Sequence, residues 1–94
     1  VIEATCSNLF YWSGDTLCTP DLSMSGVDGL IRQTIIAKNS QVKVCVTKRV
    51  DLKKAQGMFI CNALMGIIPV KMYNNRNLAI ANTQQLQQQM KDFI

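Results

Sequence analysis

Four short stretches of this 94-residue chain carry residue types able to hold a charged ligand. Glu3 is the one acidic residue outside a turn or helix end, in an apparent strand leading to Asn8. A fixed carboxylate there favours a protonated group beside it; taken alone, it reads as a solvated strand carboxylate. Gly26-Val27-Asp28 runs into a predicted helix start, where clustered main-chain N–H groups and the helix dipole suit an anion. Asp28 is also a good N-cap residue. Asn62-Ala63 follows a predicted buried strand and is, on residue type alone, a turn asparagine with its neighbour. Arg32 lies on the helix that follows Asp28, as either a guard of the site or a surface residue.

Other chemistries are poorly supported. Cys6, Cys18, Cys45 and Cys61 are widely and irregularly spaced, and the chain has no histidine, so zinc or haem ligation is not expected. The cysteines read as buried, reduced thiols of a cytoplasmic protein. Ten basic residues against six acidic ones give a net charge of +4, but they are dispersed and no aromatic residues interleave with them, which argues against nucleic-acid binding. An apolar fraction of 48%, broken into short bursts, excludes a disordered tail and a membrane span. No basic stretch leading into a long apolar run marks a signal peptide.

The elements that must position these residues follow from the apolar patterning. Asn8–Trp12 and Thr16–Thr19 are β-rich runs around Ser13-Gly14-Asp15, an antiparallel hairpin. Pro20 ends the second strand. A loop leads to a helix over Gly29–Lys38, with Leu30, Ile31, Thr34, Ile35 and Ala37 on its apolar face. Val42, Val44 and Val46 alternate with polar residues as a strand with one strongly apolar side. Asp51 caps a short helix through Gln56, and Gly57 terminates it. Met58–Cys61 is a strand covered on both faces, and Asn62–Gly66 is a break. Ile67–Tyr73 and Leu78–Ile80 form a second hairpin around Asn74-Asn75. A final helix, capped by Asn82 or Thr83 and ending near Ile94, buries Leu86, Met90 and Phe93 and turns its glutamines to water. The order of elements makes a single mixed α/β (α+β) domain with a modest core, since a domain this short buries only about 60 to 65% of its unfolded surface.

Three segments together resemble the fold-type IV pyridoxal-phosphate enzymes, the D-amino acid aminotransferase-like, class IV aminotransferase family. They are Glu3-Ala4-Thr5-Cys6-Ser7-Asn8-Leu9-Phe10; Thr19-Pro20 through Gly26-Val27-Asp28-Gly29-Leu30-Ile31-Arg32; and Ile60-Cys61-Asn62-Ala63-Leu64-Met65-Gly66-Ile67-Ile68-Pro69-Val70. Their order and spacing agree with the family from one end of the chain to the other. Gly26-Val27 through Arg32-Gln33 and Cys61-Asn62-Ala63-Leu64-Met65 are the wording of its aminodeoxychorismate lyase branch rather than of the transaminases.

The resemblance implies a C-terminal cofactor-binding domain, here incomplete, and pyridoxal 5'-phosphate as cofactor. It places Glu3 beside the pyridine nitrogen and the main-chain N–H groups of Val27 and Asp28, after Gly26, on the phosphate. Asn62-Ala63 supplies a second phosphate contact, through main chain and a polar side chain. The position of Asp28 carries a neutral polar residue in the family pattern, so its carboxylate either turns away from the anion or weakens its binding. The cofactor-binding lysine of the family lies a few dozen residues before the glutamate motif, after a further N-terminal domain; neither is expected in this chain, and none of its seven lysines matches that motif. The implied reaction converts 4-amino-4-deoxychorismate, a small molecule, to 4-aminobenzoate and pyruvate in folate synthesis, in a homodimer. The alternatives are a branched-chain or D-amino acid aminotransferase of the same fold, and a non-catalytic module of a split enzyme.

Overall fold

The computed structural model describes residues 7–21 and 29–93. Strands β1 (Asn8–Ser13) and β2 (Thr16–Pro20) form an antiparallel hairpin with Trp12 opposite Leu17. Its turn needs Gly14, whose φ of 63° is costly for a residue with a Cβ. Helix α1 (Leu30–Lys38) carries the chain over to β3 (Lys43–Cys45), which pairs parallel with β2, as a crossover of this length permits. The short helix α2 (Arg49–Lys54) precedes β4 (Gly57–Asn62), which returns antiparallel to β1, and β5 (Gly66–Val70) pairs antiparallel with β4. The five strands stand in the order β3-β2-β1-β4-β5. A small ribbon, β6 (Met72–Tyr73) and β7 (Arg76–Asn77), and helix α3 (Ala81–Met90) complete the described chain.

Strand alternation divides the core between the sheet's two faces. One face carries Phe10, Trp12, Leu17, Phe59, Cys61 and Ile67 under Ile35 of α1 and Leu86 and Met90 of α3. Phe10 and Phe59 are register partners and stack with ring centroids 4.9 Å apart. The other face carries Tyr11, Cys18 and Met58 against Ala55 and Leu78, with Leu9, Cys45, Leu52 and Tyr73 partly covered. The Tyr11 hydroxyl shares a hydrogen bond with Thr47 Oγ1 at 3.0 Å, which satisfies its one polar atom inside that layer.

Several expectations need correction. Of the expected valine side, only Val42 packs against the core; Val44 and Val46 are exposed, and the Cys45–Thr47 side packs inward toward Tyr11. Leu30 is exposed and Arg32 is buried, because α1 is rotated to place Ile35 at the centre of its packed face. Asp51 does not begin α2; that helix starts at Arg49 after Lys48, and the Asp51 carboxylate accepts the Lys48 N–H at 2.8 Å from the first turn. Gly57 opens β4 instead of ending α2, since a Cβ there would stand 2.7 Å from the Ala79 carbonyl. The turn at Asn74-Asn75 is as expected, both residues taking the positive φ of a two-residue hairpin, but Leu78–Ile80 forms no strand. Helix α3 begins at Ala81 after Ile80 and ends at Met90, which leaves Phe93 exposed beneath the Lys38 ammonium. Gln87 is turned inward, donating to the Ile67 carbonyl at 2.8 Å. Helix α1 follows Gly29 as its N-cap residue, with no side-chain cap of its own; the expected cap, Asp28, lies outside the described residues.

Candidate functional site

The antiparallel pairing of β1 with β4 sets Asn8 opposite Cys61, so the start of β1 and the end of β4 share one end of the sheet. Pro20 reaches that same end along β2, the antiparallel partner of β1. Here the backbone leaves the sheet at two of the sequence-predicted segments.

Asn62 is a hub. Its Oδ1 accepts the N–H groups of Leu64 at 3.0 Å and Met65 at 2.7 Å, closing the turn that exposes Ala63. Its Nδ2 donates to Ser7 Oγ at 3.1 Å, tying the turn to the residue before β1. The side-chain oxygen is therefore used within the turn, and what this segment offers a ligand is main chain at an exposed corner. Gly66, with φ 74°, returns the chain into β5.

Asn8 holds the second departure point. It lies on the aromatic face of β1, two residues from Phe10, and is 3% exposed. Its Oδ1 accepts the Gly29 N–H at 3.2 Å, and a Cβ on Gly29 would meet that oxygen at 2.6 Å. The Gln33 N–H then donates to the Gly29 carbonyl, opening α1. In the first turn of α1 Arg32, 5% exposed, donates through Nη2 to the Pro20 carbonyl at 3.2 Å. Its charge is felt at Cys61: burial pushes that thiol up to about 11, against the opposing effects of an Asn8 main-chain hydrogen bond and Arg32. The surface reading of Arg32 is thus excluded. Beside Ser7 on the opposite face, a groove of about 430 Å³ is lined by Leu9, Pro20, Leu52 and Tyr73, with Lys48 and Arg49 among its walls.

Of the residues singled out in the sequence, Asn62, Ala63 and Arg32 are brought to this corner; Glu3, Gly26, Val27 and Asp28 lie outside the described residues. Asn8, Ser7 and Gly29 were given no role by sequence reasoning. The available signal was an asparagine in phase with Phe10 and Trp12, since an amide on a buried face needs a partner. A helix start, the exposed main chain at Ala63 and a buried guanidinium at one sheet end suit an anionic group such as a cofactor phosphate. Among the described residues no cluster of potential metal ligands occurs, and no helix is long and apolar enough to cross a membrane.

The chain is 35% identical over 74 residues to an aminodeoxychorismate lyase of Vibrio harveyi, covering 74% of this chain and 27% of that one. It is 30% identical over 81 residues to a Thermotoga maritima protein named a probable branched-chain-amino-acid aminotransferase, covering 82% and 30%. The fold matches the crystal structure of a 4-amino-4-deoxychorismate lyase from Pseudomonas aeruginosa with a TM-score of 0.77 and 27% identity, over 94% of this chain and 34% of that one. The chain thus spans about a third of the length of the relatives it matches. The family model for amino-transferase class IV, a pyridoxal-phosphate-dependent family, matches residues 1–73, and the chain belongs to that family.

Proposed function

We propose that this chain is the C-terminal, cofactor-holding part of a 4-amino-4-deoxychorismate lyase, releasing 4-aminobenzoate and pyruvate. The observation that supports the cofactor assignment is that two segments leave the same end of the sheet: Gly29 bonded to Asn8, and the Asn62 turn following Cys61, the register partner of Asn8. The lyase assignment rests on the Gly26-Val27 and Cys61-Asn62-Ala63-Leu64-Met65 wording and on 35% identity to a lyase against 30% to an aminotransferase.

When bound, pyridoxal phosphate supplies an electron-withdrawing ring that stabilises negative charge developing on the substrate. Glu3 holds a proton at the ring nitrogen, because a neighbouring carboxylate favours the charged pyridine. The main-chain N–H groups of Val27, Asp28 and Ala63 bind the phosphate, and the buried charge of Arg32 adds to the attraction. The lysine that moves the proton is supplied from outside the segments seen here; all seven lysines of this sequence are exposed and none stands in the family's lysine motif.

The test is a product assay on the intact enzyme that carries this segment. Release of pyruvate and 4-aminobenzoate from 4-amino-4-deoxychorismate supports the reading. Transfer of an amino group from a branched-chain or D-amino acid to a keto acid, with no pyruvate released, would replace it by the aminotransferase reading. The 94-residue chain alone is expected to form no 4-aminobenzoate.

A further inference from the structure

The Asn8 side chain has a geometry that a merely well-packed strand residue does not need. It is an amide on the aromatic face of the sheet, where a leucine would bury more apolar surface at no desolvation cost. Its Oδ1 accepts a main-chain N–H outside the sheet, that of Gly29. Gly29 is the N-cap residue of α1 and brings no capping side chain, so the oxygen at the start of this helix comes from a strand 21 residues earlier.

The approach is close at Gly29. Gly29 has φ −66°, a value any residue adopts, so the backbone does not require glycine there. The requirement comes from space: a Cβ would stand 2.6 Å from Asn8 Oδ1, inside any real contact. Asn8 is in turn fixed in register against Cys61, whose successor Asn62 builds the other phosphate-side turn. The Asn8 side chain therefore links the start of α1 to the strand end from which the Asn62 turn departs. After β2 the Asp21 N–H donates to the Cys45 carbonyl at 3.0 Å.

We propose that Asn8 is a positioning residue for the cofactor phosphate. Through Gly29 it fixes the first turn of α1 against the Asn62 turn, without touching the phosphate itself. This rests on the cofactor reading above. Loss of the contact lets the helix start drift by a few tenths of an ångström or more, which weakens donor alignment at the phosphate and leaves the ring chemistry unchanged.

The experiment uses the intact holoenzyme and two variants that remove the same contact from opposite sides, Asn8→Ala and Gly29→Ala. The dissociation constant for pyridoxal phosphate, the phosphorus-31 chemical shift of the bound cofactor, and kcat at saturating cofactor are measured for each. The expected result in both variants is about tenfold weaker cofactor binding, the scale of one hydrogen bond's worth of alignment. The phosphorus signal should move toward that of free cofactor, while kcat at saturation stays within about threefold. In the double variant the new methyl occupies the space of the lost amide, so the two effects are expected to be less than additive. Should Asn8→Ala fail to fold, Gly29→Ala alone decides, because it keeps the Asn8 amide. Wild-type affinity and an unmoved phosphorus signal in a folded variant overturn the proposal while leaving the functional reading intact. A wild-type enzyme that binds no pyridoxal phosphate overturns both.

Discussion

Replacing Asn62 separates its structural work from its electrostatic surroundings. In Asn62→Ala the turn loses two acceptor contacts, to Leu64 and Met65, and the donor contact to Ser7. The first two are exposed and water replaces them at small cost; the third is partly buried. At about 0.5 kcal/mol for each exposed bond and about 1 for the other, the loss is roughly 2 kcal/mol of stability. Asn62→Asp keeps the accepting oxygen, and the Ser7 hydroxyl can rotate to donate, so stability at pH 7 should change by less than about 0.5 kcal/mol. The aspartate adds a negative charge beside the proposed phosphate. With a dianion about 6 Å away and an effective dielectric between about 40 and 80, the repulsion is roughly 1.4 to 2.8 kcal/mol, or about 10- to 100-fold weaker cofactor binding. Urea denaturation reads the first quantity and an absorbance titration of the apoenzyme with pyridoxal phosphate reads the second. Unchanged stability in Asn62→Ala would refute the turn's dependence on this side chain, and unchanged affinity in a folded Asn62→Asp would refute a phosphate at this corner.

Three further predictions follow from the core and the site. Phe59→Ala removes a fully buried ring stacked on Phe10 and tilted against Trp12, and should cost about 3 to 5 kcal/mol, enough to leave so small a domain largely unfolded in a thermal melt. Burial raises the Cys61 thiol from 9.0 to about 11 and, with a contribution from its Cys45 contact, the Tyr11 phenol from 10.0 to about 12. Both groups stay neutral in the fold while the unfolded chain ionises. Stability is therefore fully present below pH 9 and falls as pH rises toward 11 and 12, with about 3 kcal/mol of the fall from Cys61, a slope that urea midpoints at stepped pH should show and Cys61→Ala should reduce. Glu3→Gln in the intact enzyme should retain cofactor but slow turnover by about 2 to 4 kcal/mol of barrier; an unchanged kcat would place Glu3 away from the ring.

The strands were legible because their signals are local. Gly14 between two β-rich runs and the continuous apolar run ending at Cys61 fixed β1, β2 and β4 to within a residue or two. Helix rotation was not local: which side of α1 is buried depends on the sheet it meets, so an arginine took a core position and Leu30 went to solvent. The same reason misled the reading of β3, whose regular valine alternation lies at a sheet edge where the packing partner, Tyr11, stands on the cysteine side. At the site, residue types and spacing pointed to Asn62-Ala63, but the partnership of Asn8 with Gly29 spans 21 residues and is visible only once β1 and α1 are brought together. Periodicity carries no information about such a contact; its traces were an asparagine in phase with two aromatic residues and the place of Asn8 and Gly29 in the family-like segments.

The central claim is that two chain segments, leaving one end of the sheet, hold a single cofactor phosphate. The most direct measurement is a crystal structure of the intact enzyme with pyridoxal phosphate bound. The account predicts main-chain nitrogens of Val27 and Ala63 each about 3 Å from phosphate oxygens and within roughly 8 Å of one another, with the Glu3 carboxylate at the ring nitrogen. A phosphate held elsewhere, or Val27 and Ala63 on opposite faces of the domain, would contradict it.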